Sequence, residues 1–158
     1  MKAGIKNLWK VPVYCMIASW ISFYFIVYIG RFFFMIKTID TDGITHVSVN
    51  SVGYVIVDIA IFLIVLLIGG LWVFRSMTKA EVAISAGIMS AIYLLTVFVQ
   101  MYVPDLPIAL SDSLIYIQTW MGTLSSLLAK LTDHRSISII LSSFAPLLFI
   151  LFARKSNT

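Results

Sequence analysis

The sequence predicts an all-α fold: a polytopic integral membrane bundle of four transmembrane helices, with one further amphipathic helix at the interface. Three observations predict it. Residues 11–30, 59–74 and 82–103 are long apolar runs almost free of charge, and about 20 such residues at a rise of about 1.5 Å each cross a hydrocarbon core about 30 Å thick. The chain is 61% hydrophobic and only 11% charged, with a mean hydropathy of +1.03, so its apolar surface cannot all be hidden in one water-soluble core. Lysine and arginine sit at the ends of the apolar runs instead of forming a basic stripe. That placement orients helices and argues against a nucleic-acid partner.

The first span is expected over about residues 11–36, with Pro12 in its first turn, where a missing N–H costs little. Lys2, Lys6 and Lys10 precede it as in an export signal, but the run is longer and richer in aromatics than a signal core and ends at Arg31. It therefore reads as a retained helix. Cys15 is the only cysteine, which excludes an internal disulfide and a thiol pair, and it is expected to pack as a small hydrophobe. Residues 37–53 form a polar connector holding Asp40, Asp42, Gly43, His46 and Asn50. The alternation of Ile44, His46 and Ser48 with Val47 and Val49 predicts a short extended segment there.

The second and third spans, about 54–74 and 80–103, are joined by a connector short enough to force an antiparallel hairpin. Thr78 with Glu81 fits a capping box at the start of the third. Placing Lys2, Lys6, Lys10, Arg75 and Lys79 on one side satisfies the positive-inside rule and puts the N-terminus in the cytoplasm of a cell-membrane protein. Trp9 and Trp72 then fall at the inner interface, and Tyr28, Tyr54 and Tyr102 at the outer one.

The last third offers a fourth span at about 137–153 and an ambiguous helix at about 113–131. In the latter, Leu114, Ile117, Met121, Leu124, Leu128 and Leu131 make one apolar stripe, while Gln118, Thr119, Thr123, Ser125 and Ser126 dilute the other faces. Lying flat, it gives four spans and a cytoplasmic C-terminus; crossing, it gives five. Four are favoured, because Gln118 and the hydroxyl residues are costly to insert and the turn carrying Asp133, His134 and Arg135 is tight.

Asp58 is the sharpest candidate, since an ionisable group within a transmembrane run points to function. It lies about 6 Å along the helix from Tyr54, near the outer boundary, where a hydrated or paired interfacial carboxylate, bridged to Arg31, is expected first and a proton or cation site second. Gln118, Thr119, Thr123 and Ser126 form a candidate polar face for an aqueous path. Ala83, Gly87 and Ala91 form a small-residue series expected to pack inside the bundle, or else to carry a homo-oligomer contact, with Ala86 and Ser90 on the adjoining strip and Ala18 and Ser22 as a facing surface.

The run Asp40, Thr41, Asp42, Gly43 resembles the opening of a calcium loop, but the later oxygen ligands are missing, so a solvated turn is expected. No metal site and no cofactor are predicted. No serine has the setting of a nucleophile elbow and no general base is placed beside one, so an enzyme is not expected. The composition and these few residues point to a membrane protein that binds a partner or acts as an accessory. The alternatives are a small transporter or channel using Asp58 and, with less support, an enzyme acting on lipid.

Overall fold

The computed structural model describes residues 5–39, 42, 45–103 and 105–154. The chain begins with a short helix, α1 (Ile5–Leu8), and then α2 (Lys10–Tyr24), which runs through a π-helical stretch (Phe25–Gly30) into α3 (Arg31–Phe34). A hairpin of β1 (Met35–Ile39) and β2 (Thr45–Val49) leads to α4 (Ser51–Ile68), which ends in a second π-helical stretch (Gly69–Val73). There follow α5 (Lys79–Tyr102), α6 (Ile108–Thr132), α7 (Arg135–Ser142) and a 3-10 helix (Ala145–Phe152). Four continuous helical rods, Lys10–Phe34, Ser51–Val73, Lys79–Tyr102 and Arg135–Phe152, are long and apolar enough to cross a membrane. The last has only 18 residues. Its second half is 3-10, with Pro146 in the first turn, and the rise of about 2.0 Å per residue there stretches the rod to about 31 Å.

The first helical rod stops earlier than the sequence suggests. Met35 and Ile36 leave the helix and pair with Val49 and Ser48 in an antiparallel ladder that ends at Ile39 opposite Thr45. Both strands are exposed throughout, so the hairpin is held by its backbone ladder and its base. There Asn50 donates its N–H to the Phe34 carbonyl at 2.7 Å, while its side chain accepts from the N–H groups of Val52 and Gly53. This cap starts α4 at Ser51, three residues before the expected start. The capping box at Thr78 and Glu81 forms as expected: each side chain accepts from the other residue's backbone N–H.

One end of the bundle, here the basal end, is stitched together from three parts of the chain. Ser85 donates to the Leu8 carbonyl and accepts from the Val11 N–H, and Asn7 donates to Glu81. The Arg154 N–H donates to Met77 and the Arg154 carbonyl accepts from Lys79. The rod Arg135–Phe152 therefore runs antiparallel to α5, and Arg135 lies at the hairpin end, where it shares a cleft with Gln100 and Met101. Because α6 leaves α5 and reaches α7 at that same end, it lies across the bundle instead of crossing it from end to end. The αL conformation of Asp133, whose N–H donates to Ala129, closes α6 and turns the chain into α7.

The core is centred on Trp120 of α6, fully buried between the rings of Phe62 and Phe149, with which it stacks at 5.4 and 5.6 Å. Tyr14, Phe74 and Phe149 meet edge to face below it. The predicted stripe on α6 is only half used: Ile117, Met121 and Leu124 join this core, whereas Leu131 is 81% exposed.

The tight seam lies on the second helical rod. A Cβ at Gly69 would sit 2.6 Å from Phe149 and 2.7 Å from Tyr14, and one at Gly70 would collide with the Phe152 ring. These two glycines let the 3-10 helix approach. On α5, by contrast, the inward strip is Ser85, Ala86, Met89, Ser90 and Tyr93. Gly87 and Ala91 are exposed and Ala83 is half-buried, and a Cβ on Gly87 would meet nothing within 4 Å. Ala18 and Ser22 of α2 are buried.

Candidate binding cleft at Asp58

In α4 the Asp58 carboxylate is placed one turn after Tyr54, on the side that meets α6. The residue is 1% exposed. Its Oδ2 accepts from the Ser126 hydroxyl at 2.7 Å, but the same hydroxyl also lies 2.9 Å from the Thr123 carbonyl. One proton serves two acceptors, so Oδ2 is held by a shared hydrogen bond, and Oδ1 is buried without any partner. A carboxylate so poorly satisfied is a costly thing to bury.

Arg31 does not supply the missing partner. Its guanidinium lies over the Phe32 ring, 5.2 Å from the centroid, on the exposed surface of α3. The expected bridge is therefore absent, because α4 turns Asp58 toward α6 while α3 turns Arg31 outward. Lys130, further along α6, is close enough to act on Asp58 electrostatically.

Asp58 lines a lateral cleft of about 450 Å³ whose walls include Phe23, Ile26, Tyr54, Ile115, Gln118, Thr119, Thr123 and Arg135. Thus the structure brings Asp58 together with three residues of the predicted polar face, and the fourth, Ser126, is its hydrogen-bond donor. Gln118 donates to the Thr96 hydroxyl at 2.6 Å, tying α6 to α5. Thr119 and Thr123 spend their protons on the carbonyls of Ile115 and Trp120. A second cleft of about 690 Å³ lies against α6 and shares Gln118, Gly122 and Arg135 with the first. Arg135 is exposed.

Chemically, the cleft offers one under-satisfied carboxylate, an aromatic wall and an arginine. That set suits a cationic or strongly hydrogen-bond-donating group. The Ser126 hydroxyl is set against the Asp58 carboxylate, with its proton shared with the Thr123 carbonyl. Among the described residues no group of three or more His, Cys, Asp and Glu could hold a metal ion. Asp42 is exposed, while Asp40, Thr41, Gly43 and Ile44 lie outside the described residues, as does the calcium-loop reading that rests on them.

Two features of the site escaped the sequence reading. Trp120 seats α6 on the bundle and its backbone N–H donates to the Ser19 hydroxyl at 3.3 Å, yet it stands outside the leucine stripe. The Gly69 and Gly70 seam was hidden within an apolar run, although two adjacent glycines in a helix are themselves a signal of close approach. Comparisons with protein-family models, with curated proteins and with solved structures find no match to this chain.

Proposed function

We propose that the protein is a non-enzymatic, multi-pass membrane protein that binds a partner within the bilayer, through the cleft where α6 crosses Asp58. The observation that carries this reading is the buried Oδ1 of Asp58, unpartnered beside an open lateral cleft. A carboxylate within a membrane is expected to face a cation or a polar partner. The complementary group is a lysine or arginine side chain on a partner's transmembrane helix. By sequence, seven of the eleven lysines and arginines (Lys2, Lys6, Lys10, Arg75, Lys79, Arg154 and Lys155) flank the basal ends of the rods, against Arg31, Lys37, Lys130 and Arg135 elsewhere, a bias that supports a cytoplasmic basal end and a cleft toward the outer leaflet. Because α6 lies across the bundle, it adds a docking wall and does not line a path from one end to the other.

A photo-crosslinking residue at Ile115, a half-exposed position lining the cleft, is expected to give one discrete protein adduct in native membranes. Asp58→Asn should abolish it while the purified variant still elutes as the wild type does. The buried Oδ1 also favours a second reading, a proton or cation coupling site. Asp58-dependent flux by the purified protein in sealed vesicles, with no adduct at Ile115, would replace the first reading by the second.

A further inference from the structure

The basal end carries a second site, independent of Asp58. Phe74 and Met77 are both fully buried, and the Met77 N–H donates to the Phe74 carbonyl, so the connector is pinned at two points three residues apart. Arg75 and Ser76 are the residues displayed between the pins, and both are exposed. Arg154 is brought to them by its two backbone hydrogen bonds to Met77 and Lys79. The result is a cleft of about 630 Å³ lined by Trp72, Arg75, Ser76, Phe152 and Arg154, with no acidic side chain among the described residues that line it. Glu81, the acid of this end, has its two oxygens engaged by Asn7 and Thr78.

We infer that this cleft binds the phosphate of an anionic phospholipid headgroup. Two guanidinium groups and a hydroxyl supply donors suited to phosphate oxygens. Trp72, 82% exposed, has the amphipathic ring expected at a headgroup boundary. Leu71 and Leu151, exposed on the two rods that frame the cleft, continue the apolar surface toward the opposite end, where acyl chains would lie. That continuation is what favours a lipid over free phosphate. The inference rests on the membrane placement proposed above, not on the partner-binding role of Asp58.

The test is lipid retention by the purified full chain, measured by native mass spectrometry after exchange into detergent with equal amounts of phosphatidylglycerol and phosphatidylcholine. With about fivefold per arginine near an anionic surface, the pair should favour phosphatidylglycerol about twenty-five-fold. Arg75→Gln with Arg154→Gln should remove the preference, whereas Lys37→Gln, on the hairpin, should keep it. Equal retention of the two lipids by the wild type would overturn the inference without need of any variant. Displacement of phosphatidylglycerol by inorganic phosphate at matched concentration would also overturn it, in favour of a soluble phosphate site. Absence of the preference in the wild type, with the Ile115 adduct intact, would sink this inference alone, because the adduct reads the other cleft.

Discussion

Replacing Trp120 by alanine is expected to release α6 from the bundle. The change removes the ring stacked between Phe62 and Phe149 from a site with no exposed surface, leaving a cavity that the two remaining rings cannot fill without moving. Losses of this kind cost about 3–5 kcal/mol, and at about 2–4 °C per kcal/mol for a chain of this size the thermal midpoint should fall by about 10 °C. Trp120→Phe keeps a ring in the stack and should lose much less. The structural consequence is specific: with α6 loosened, Ser126 no longer holds Asp58, so the crosslink at Ile115 should be lost as well. A midpoint unchanged by Trp120→Ala, with protease cutting at residues 103–107 no faster than in the wild type, would contradict this account of the core.

Gly69→Val should be comparably damaging for the opposite reason, an excess of atoms. Its Cβ alone would stand 2.6 Å from one aromatic ring and 2.7 Å from another. Neither contact is with the loose end of a flexible chain, so the 3-10 helix must move away. Overpacking of this kind costs about 1–3 kcal/mol, and two ring contacts put the change at the upper end. The 3-10 helix also holds Arg154 against the connector, so the basal cleft should widen with it. Gly87→Val is the matched control, since a Cβ at Gly87 meets nothing within 4 Å; thermal midpoints of the two variants, measured side by side, should differ by several degrees. Equal midpoints would remove the Gly69 seam from the account.

What was legible in the sequence follows the range of the interactions involved. The apolar runs are legible because rod length and hydropathy are local properties, and the capping box because Thr78 and Glu81 lie three residues apart. Asp58 stands out as an acid in an apolar run, but its donor Ser126 is 68 residues away, and nothing in the local pattern chooses Ser126 over Arg31. The end of the first helical rod was misplaced for the same reason: Met35 and Ile36 could have continued the helix, and pairing with residues 48 and 49 draws them out of it. On α6 only Ile117, Met121 and Leu124 of the leucine stripe join the core, and the residue that anchors the helix is Trp120, whose role depends on Phe62 and Phe149 arriving from two other rods. The small-residue series on α5 has the spacing of a packing seam. Within the chain the tight seam lies at Gly69 and Gly70, where the partners are three aromatic side chains, Tyr14, Phe149 and Phe152, and not another small strip.

The path of α6 is the central claim, because both the Asp58 cleft and the position of the C-terminal rod depend on it. Its most direct test is labelling of intact cells with a membrane-impermeant maleimide, in a Cys15→Ala background carrying one introduced cysteine at a time. Asp105→Cys and Asp133→Cys, at the two ends of α6, should react alike from outside, while Ser76→Cys at the basal end should react only after the cells are opened. Reaction of Asp133→Cys on the same side as Ser76→Cys, and opposite Asp105→Cys, would mean that α6 crosses the membrane and would contradict the account.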